Sequence, residues 1–260
     1  MKTTAGNVEV LARADGPSKR VPFPTINQRL IPGPQARAAL LSLLLASALC
    51  TALVGVRGVY SQSFGFRPFL WNLFLAWVPV LTAVPIYSLC ARGSKRWPVI
   101  ICLAVLWFLF FPNAAYIITD IQHLYRRPGV PYWFDMIMIM AFALTGWFLG
   151  YFSLYLLQEV VRSWLGRAMS WVFALGMLGL SSFGIYLGRF LRWNSWDVLL
   201  APLTTIADAA RIAHPIRNPQ ALAFSATFFA FSLVCYLIVY SFTHLHAWVE
   251  RAPVPDARKS

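Results

Sequence analysis

Apolar residues run along this chain in long blocks, and the blocks begin and end where charge does. Between Arg37 and Arg57 lie 19 residues without a charge. Comparable runs separate Arg67 from Arg92, Arg96 from Asp120, Asp135 from Glu159, Arg167 from Arg189 and Arg217 from Glu250. Each is long enough to cross a bilayer as a helix, which takes about 20 residues. The pattern predicts six spans, centred near residues 47, 79, 108, 147, 178 and 232. The expected fold class is therefore all-α, a polytopic membrane helix bundle. Only ten uncharged residues lie between Asp197 and Asp208, too few to cross. After Pro202, Leu203, Ile206 and Ala210 fall on one helical face, with Thr204, Asp208 and Arg211 away from it. That spacing predicts a short amphipathic helix on the extracytoplasmic surface.

Composition agrees: 59% of the 260 residues are hydrophobic, 12% are charged and the mean hydropathy is +0.62, outside the balance of a soluble domain. Lys and Arg set the orientation, because cytoplasmic segments retain positive charge. With the N-terminus inside, 14 basic residues fall on cytoplasmic segments and 8 on outer ones. All four lysines (Lys2, Lys19, Lys95, Lys259) are on the inner side, and every outer basic residue is arginine. Both termini are expected in the cytoplasm. The organisation expected is a disordered Pro-rich cytoplasmic tail over 1–36, a transmembrane helical domain over 37–249 and a short cytoplasmic tail over 250–260. A formal charge of +13 raises the question of nucleic acid. The charges are spread over loop ends instead of forming a stripe on a soluble module, so the expected partners are membrane lipids, not nucleic acid.

Cys50, Cys90, Cys102 and Cys235 all sit inside apolar runs without C-x-x-C spacing, and read as small apolar fillers. Gly146-x-x-x-Gly150 and Gly184-x-x-x-Gly188 allow close helix approach, expected within one monomer more than between two. Oligomeric state is not written in the pattern.

Candidate chemistry gathers in two stretches, Phe111 to Leu124 and Gly184 to Asp197, which end on the same side of the membrane. On an α-helix Asn113, Tyr116, Asp120 and His123 would form one polar stripe. Pro112, beside Asn113, bends the helix or frees a carbonyl that Asn113 can satisfy. In the fifth span Ser182, Tyr186 and Arg189 share a face, with Arg192 further round and Asn194 and Asp197 following. Trp71-Asn72 opens the second span and Asp135 the fourth, both on the outer side. Asp120, Asp135, Arg189 and Arg192 are expected as close partners at this rim. The alternatives are a structural ion-pair cluster and a ligand site. In the second case Arg189 and Arg192 suit phosphate or carboxylate oxygens, and Asp120 and His123 are the candidate catalytic pair. Asp120, His123 and Asp135 also include donors suited to zinc or manganese, but a lone histidine is more often a carboxylate's hydrogen-bond partner, and no metal is assigned.

The motifs Phe-Pro-Asn (Phe111 to Asn113), Thr-Asp-x-x-His-Leu (Thr119 to Leu124) and Gly-Arg-Phe-x-Arg-Trp-Asn-Ser-Trp-Asp (Gly188 to Asp197), with WNLFLAWVP and PYWFD, occur together from about Trp71 to Asp208. In this combination the chain resembles the bacterial membrane family called domain of unknown function 1361. The resemblance implies a multi-pass inner-membrane protein and brings no reaction with it. Ala115 stands where the family pattern implies proline.

No H-E-x-x-H, G-x-S-x-G, P-loop or dinucleotide fingerprint is present, so neither an enzymatic mechanism nor a cofactor is indicated. The function expected is an outer-face cluster that binds or acts on an anionic lipid or phosphate headgroup. A transporter or channel is the alternative, with Pro79 and Pro85 breaking the second span, and an assembly protein needs no reactive residue at all.

Overall fold

In a computed structural model of the chain the described residues are 34–62, 65–124, 130–193, 200, 202–213 and 218–249. Almost all of the expected N-terminal tail, and the whole of 250–260, lie outside them. Helix α1 spans Pro34–Ser61, α2 Arg67–Ala91 and α3 Trp97–Tyr116, and α3 passes directly into a 3-10 helix, Ile117–His123. A continuous helical segment Tyr132–Phe190 follows, then Pro202–Ile212 and Pro219–Val249.

Among the described residues five helical segments are long and apolar enough to cross a membrane. The segment Tyr132–Phe190 contains 59 residues and would measure roughly 88 Å if straight, several times a bilayer. It is two helices joined at Gly166, where φ is +84° and ψ 176°. That combination is open essentially to glycine alone. The chain reverses there: Gly150 and Gly184 approach neighbouring positions of α3 (Ala114 and Pro112), and Tyr155 and Trp171 both pack on Tyr240. We label 132–165 as α4, 167–190 as α5, Pro202–Ile212 as α6 and Pro219–Val249 as α7. The crossings then number six, as the charge-free runs predict, and the protein is a multi-pass membrane protein.

Proline starts α2 and α3 in their first turns, where its missing N–H is not needed. Glycine ends α2: Gly93 is left-handed (φ 64°), and the Ser94 N–H closes on the Leu89 carbonyl at 3.0 Å. Helix α4 stands at the centre. One face joins a core with Leu73, Met138 and Phe142, and the other a core with Trp107, Leu154 and Tyr236. Helices α1 and α7 lie outermost, with only 17% and 11% of their spanning windows buried in protein, so lipid covers most of their apolar surface.

The C-terminal end of α3 is gripped from two sides by the two glycine pairs. A methyl group on Gly146 would lie 2.6 Å from the Ala114 carbonyl oxygen and 2.8 Å from Ile117 Cδ1, and one on Gly150 3.0 Å from Ala114 Cβ. From α5, a Gly184 methyl would meet Pro112 Cγ at 3.2 Å and a Gly188 methyl Tyr116 Cε2 at 3.3 Å. Both motifs therefore serve packing inside one chain. Gly146→Ala must displace the α3 backbone, and overpacking of this kind costs about 1–3 kcal/mol. Gly176→Ala, with nothing within 4 Å, should leave stability unchanged or raise it by up to ~1 kcal/mol. Thermal unfolding in detergent should separate the two; equal midpoints would show that the close approach at Gly146 constrains nothing.

Candidate functional site

Where α3 gives way to the 3-10 helix, the expected polar stripe divides. Side chains three apart eclipse one another in a 3-10 helix, so Asp120 follows Ile117, and both are buried. Asn113 and Tyr116, still on the α-helical part, face a cavity instead. Asp120 points into the bundle, where its Oδ1 accepts a hydrogen bond from Arg189 Nη2 at 2.6 Å and its Oδ2 one from Asn72 Nδ2 at 2.9 Å. Arg189 Nε donates to Thr119 Oγ1 at 2.9 Å, and the Thr119 hydroxyl donates to the Tyr116 carbonyl at 2.6 Å. The Arg189 guanidinium carbon also lies 4.8 Å from the centre of the Tyr116 ring. Arg189 is thus the bolt between α5 and the end of α3, and Asn72 extends the network to α2.

Asp135 does not join this group. Its partner is Arg57 of α1: Nε reaches Oδ1 at 2.7 Å and Nη2 reaches Oδ2 at 3.1 Å, a fork-to-fork pair with both side chains under 5% exposed. Arg57 Nη1 donates to Ser61 Oγ at 3.2 Å, and the guanidinium packs 4.0 Å from the Phe66 ring centre. The expected cluster of four is therefore two separate assemblies, because the first turn of α4 faces α1 while α5 faces α3. Asp120 and Arg189 are brought together. Asp135 and Arg192 are not part of that pair.

Arg192 is exposed and left-handed (φ 58°), just past the end of α5, with the Trp193 N–H bonded back to the Leu187 carbonyl at 3.3 Å. It has no ion-pair partner among the described residues. Its neighbourhood is a cavity of about 550 Å³ between α2, α3 and α5, with α6 along one edge. Phe108, Leu109, Met177 and Leu180 line it at depth, and Asn72, Tyr116, Arg192 and Thr205 line it towards the end of the bundle where Asp120 lies. The side chain of His123, and all of Asn194 and Asp197, fall outside the described residues. No group of three metal-binding side chains occurs among the described ones.

The profile of a family described as a protein of unknown function (DUF1361) matches residues 71–237. The chain belongs to this family. The match runs beyond the motifs visible in the sequence and takes in most of α7, so every helix touching the cavity is a family element. No curated protein and no solved structure matches the chain.

Three residues of these two assemblies escape sequence reasoning: Arg57, Asn72 and Thr119. Arg57 looks like an interfacial anchor ending a span, and nothing local points to a carboxylate 78 positions later. Asn72 is a visible polar interruption beside Trp71, yet its acceptor is 48 positions away. The buried pairs make a direct prediction. Asp135→Asn and Asp120→Asn each leave an arginine without its charge partner, and breaking a buried pair costs about 3–5 kcal/mol. The joint replacement Arg57→Met with Asp135→Leu should cost far less than Asp135→Asn alone. Unfolding midpoints of wild type, Asp135→Asn, Arg57→Met, Asp135→Leu and the double replacement check this; additive effects of Arg57→Met and Asp135→Leu would mean the pair is not coupled.

Proposed function

We propose that this DUF1361 protein binds an amphiphile with an anionic, phosphate-bearing headgroup in the cavity between α2, α3 and α5, on the extracytoplasmic face of the bacterial inner membrane. The observation that carries this is the pairing of an apolar lining with an arginine at the polar end that has no ion-pair partner among the described residues. Along α5 the lining runs from Met177 to Arg192, roughly 22 Å at 1.5 Å per residue, most of the way through a hydrocarbon core of about 30 Å. An acyl or similar chain suits the apolar depth, and a phosphate suits Arg192 with Thr205 and Tyr116 near it.

The backbone at Arg192 adds support. A left-handed residue other than glycine costs about 1–2 kcal/mol, and glycine fills the corresponding place after α2, at Gly93. Gln62, just past α1, is the other described non-glycine residue with such a backbone (φ 52°), and of the two Arg192 is the one that lines the cavity. Arg189 is already held by Asp120, Thr119 and the Tyr116 ring, so the anion contact is assigned to Arg192. Likewise both oxygens of Asp120 are engaged, so no chemical step on the ligand is part of the proposal. The apolar deep end suits a chain better than an ion, which favours lipid binding over ion transport.

Helix α6 bears on how such a ligand enters. Thr205, Ile206 and Ala209 edge the cavity, while Leu200 and Leu203 point outward, 81% and 83% exposed. Its described residues pack only lightly on the bundle. A helix with that apolar surface lies in the membrane interface, so the ligand arrives from the bilayer and not from water.

Native mass spectrometry of protein extracted in mild detergent tests the proposal. Wild type should retain an anionic lipid. Arg192→Gln should lose it by about tenfold or more, since a hydrogen bond to a charged group contributes about 1.5–3 kcal/mol. Arg192→Gly should lose it equally while unfolding at the same or a higher temperature. Unchanged occupancy in both folded variants would overturn the proposal. Orientation is tested separately: an impermeant maleimide should label Asn218→Cys in intact cells and leave Ser94→Cys unlabelled, and the reverse would put the cavity on the cytoplasmic side.

A further inference from the structure

At the end of the bundle opposite the cavity, the α2–α3 loop meets the turn between α4 and α5. Trp97, the first residue of α3, packs against Trp164, two residues before Gly166, with ring centres 5.5 Å apart. Both indoles stay about half exposed, at 51% and 46%. Their contact joins two short basic segments, Arg92, Lys95 and Arg96 on one side and Arg162 and Arg167 on the other. Among the described residues at this end the acidic side chain is Glu159, and it is paired with Arg162 at 2.9 Å. Lys95, Arg96 and Arg167 are exposed and have no ion-pair partner among the described residues.

Each part of this seam answers a part of one ligand. Indoles at the ends of spans sit at the level of lipid headgroups and glycerol esters, where an apolar ring with one N–H donor is satisfied on both counts. Cationic side chains at that level meet phosphate. An aqueous anion would engage the cations and leave the paired indoles unused. The cations also cannot satisfy each other, and the nearby carboxylate is already taken.

We infer that this seam is a second lipid site, separate from the cavity, in which the phosphate of an anionic phospholipid lies among Lys95, Arg96 and Arg167 and the Trp97–Trp164 pair covers its glycerol-ester region. The site stands whether or not the cavity binds a ligand. It also sits on the end of the bundle that the lysine and arginine distribution assigns to the cytoplasm, the leaflet face richest in anionic headgroups.

The test uses the full chain carrying Arg192→Gln, so that the cavity does not contribute, reconstituted in nanodiscs of phosphatidylcholine with added phosphatidylglycerol. Native mass spectrometry should find phosphatidylglycerol enriched on the protein over its share of the bilayer. The triple change Lys95→Gln, Arg96→Gln and Arg167→Gln should lower that enrichment by about tenfold or more. Trp97→Ala should lower it with all the cations kept, which a purely ionic attraction would not do. The cationic side chains are exposed and have no ion-pair partner among the described residues, so the triple variant should keep the parent's unfolding temperature. Equal enrichment in the folded triple variant would overturn the inference, and so would displacement of the lipid by inorganic phosphate alone.

Discussion

The end of α3 is a wedge, and the rest of the bundle is arranged around it. Ala114 enters the groove of Gly146 and Gly150 on α4, and Pro112 and Tyr116 lie on Gly184 and Gly188 of α5. In lipid there is no hydrophobic gain from bringing helices together, because tails are as apolar as leucine. Close packing must supply the attraction, and small residues make close packing available. A backbone carbonyl as near as that of Ala114 leaves no space for any side chain at 146. The same constraint fixes the level at which α4 and α5 stand beside α3, and so where the charged ends of all three helices fall.

Buried charge follows from that alignment. Arg57 with Asp135, and Arg189 with Asp120, lie near one end of the bundle where α1 meets α4 and α5 meets α3. Ion pairs of this kind offset a large desolvation cost, so their net stabilisation is small while the penalty for breaking one is large. They therefore specify which helix ends meet more than they strengthen the contact. Arg189 shows the difference between a residue that looks like a ligand contact and one that holds the fold. Its Nε donates to Thr119, its Nη2 to Asp120, and its flat face lies against Tyr116. Arg192, one turn later, is exposed and has no ion-pair partner among the described residues.

Two lipid-facing ends with different designs result. One has a deep cavity beside a single exposed arginine on a strained backbone, edged by the lightly packed α6. The other has a shallow seam of two indoles among several cations. Both make use of arginine or tryptophan positions that would otherwise count as generic membrane anchors.

The helical class, the number of crossings, the amphipathic α6 and the stretches around Asp120 and Arg189 were legible in the chain, because a bilayer forces apolar length and excludes unpaired charge, and both act residue by residue. Family membership was legible for the same stretches. The partners were not. That Asp135 belongs to Arg57, and Asp120 to Arg189 and Asn72, depends on which helix faces which, and helical periodicity carries no information about a neighbour many residues away. The polar stripe from Asn113 to His123 assumed one helical pitch throughout, but α3 tightens to a 3-10 helix after Tyr116, which turns Asp120 inward. Arg192 looked equivalent to Arg189 in sequence, and only the tertiary structure separated the buried bolt from the exposed charge. Sequence determined what had to be in the membrane; packing geometry decided which charges were paired there.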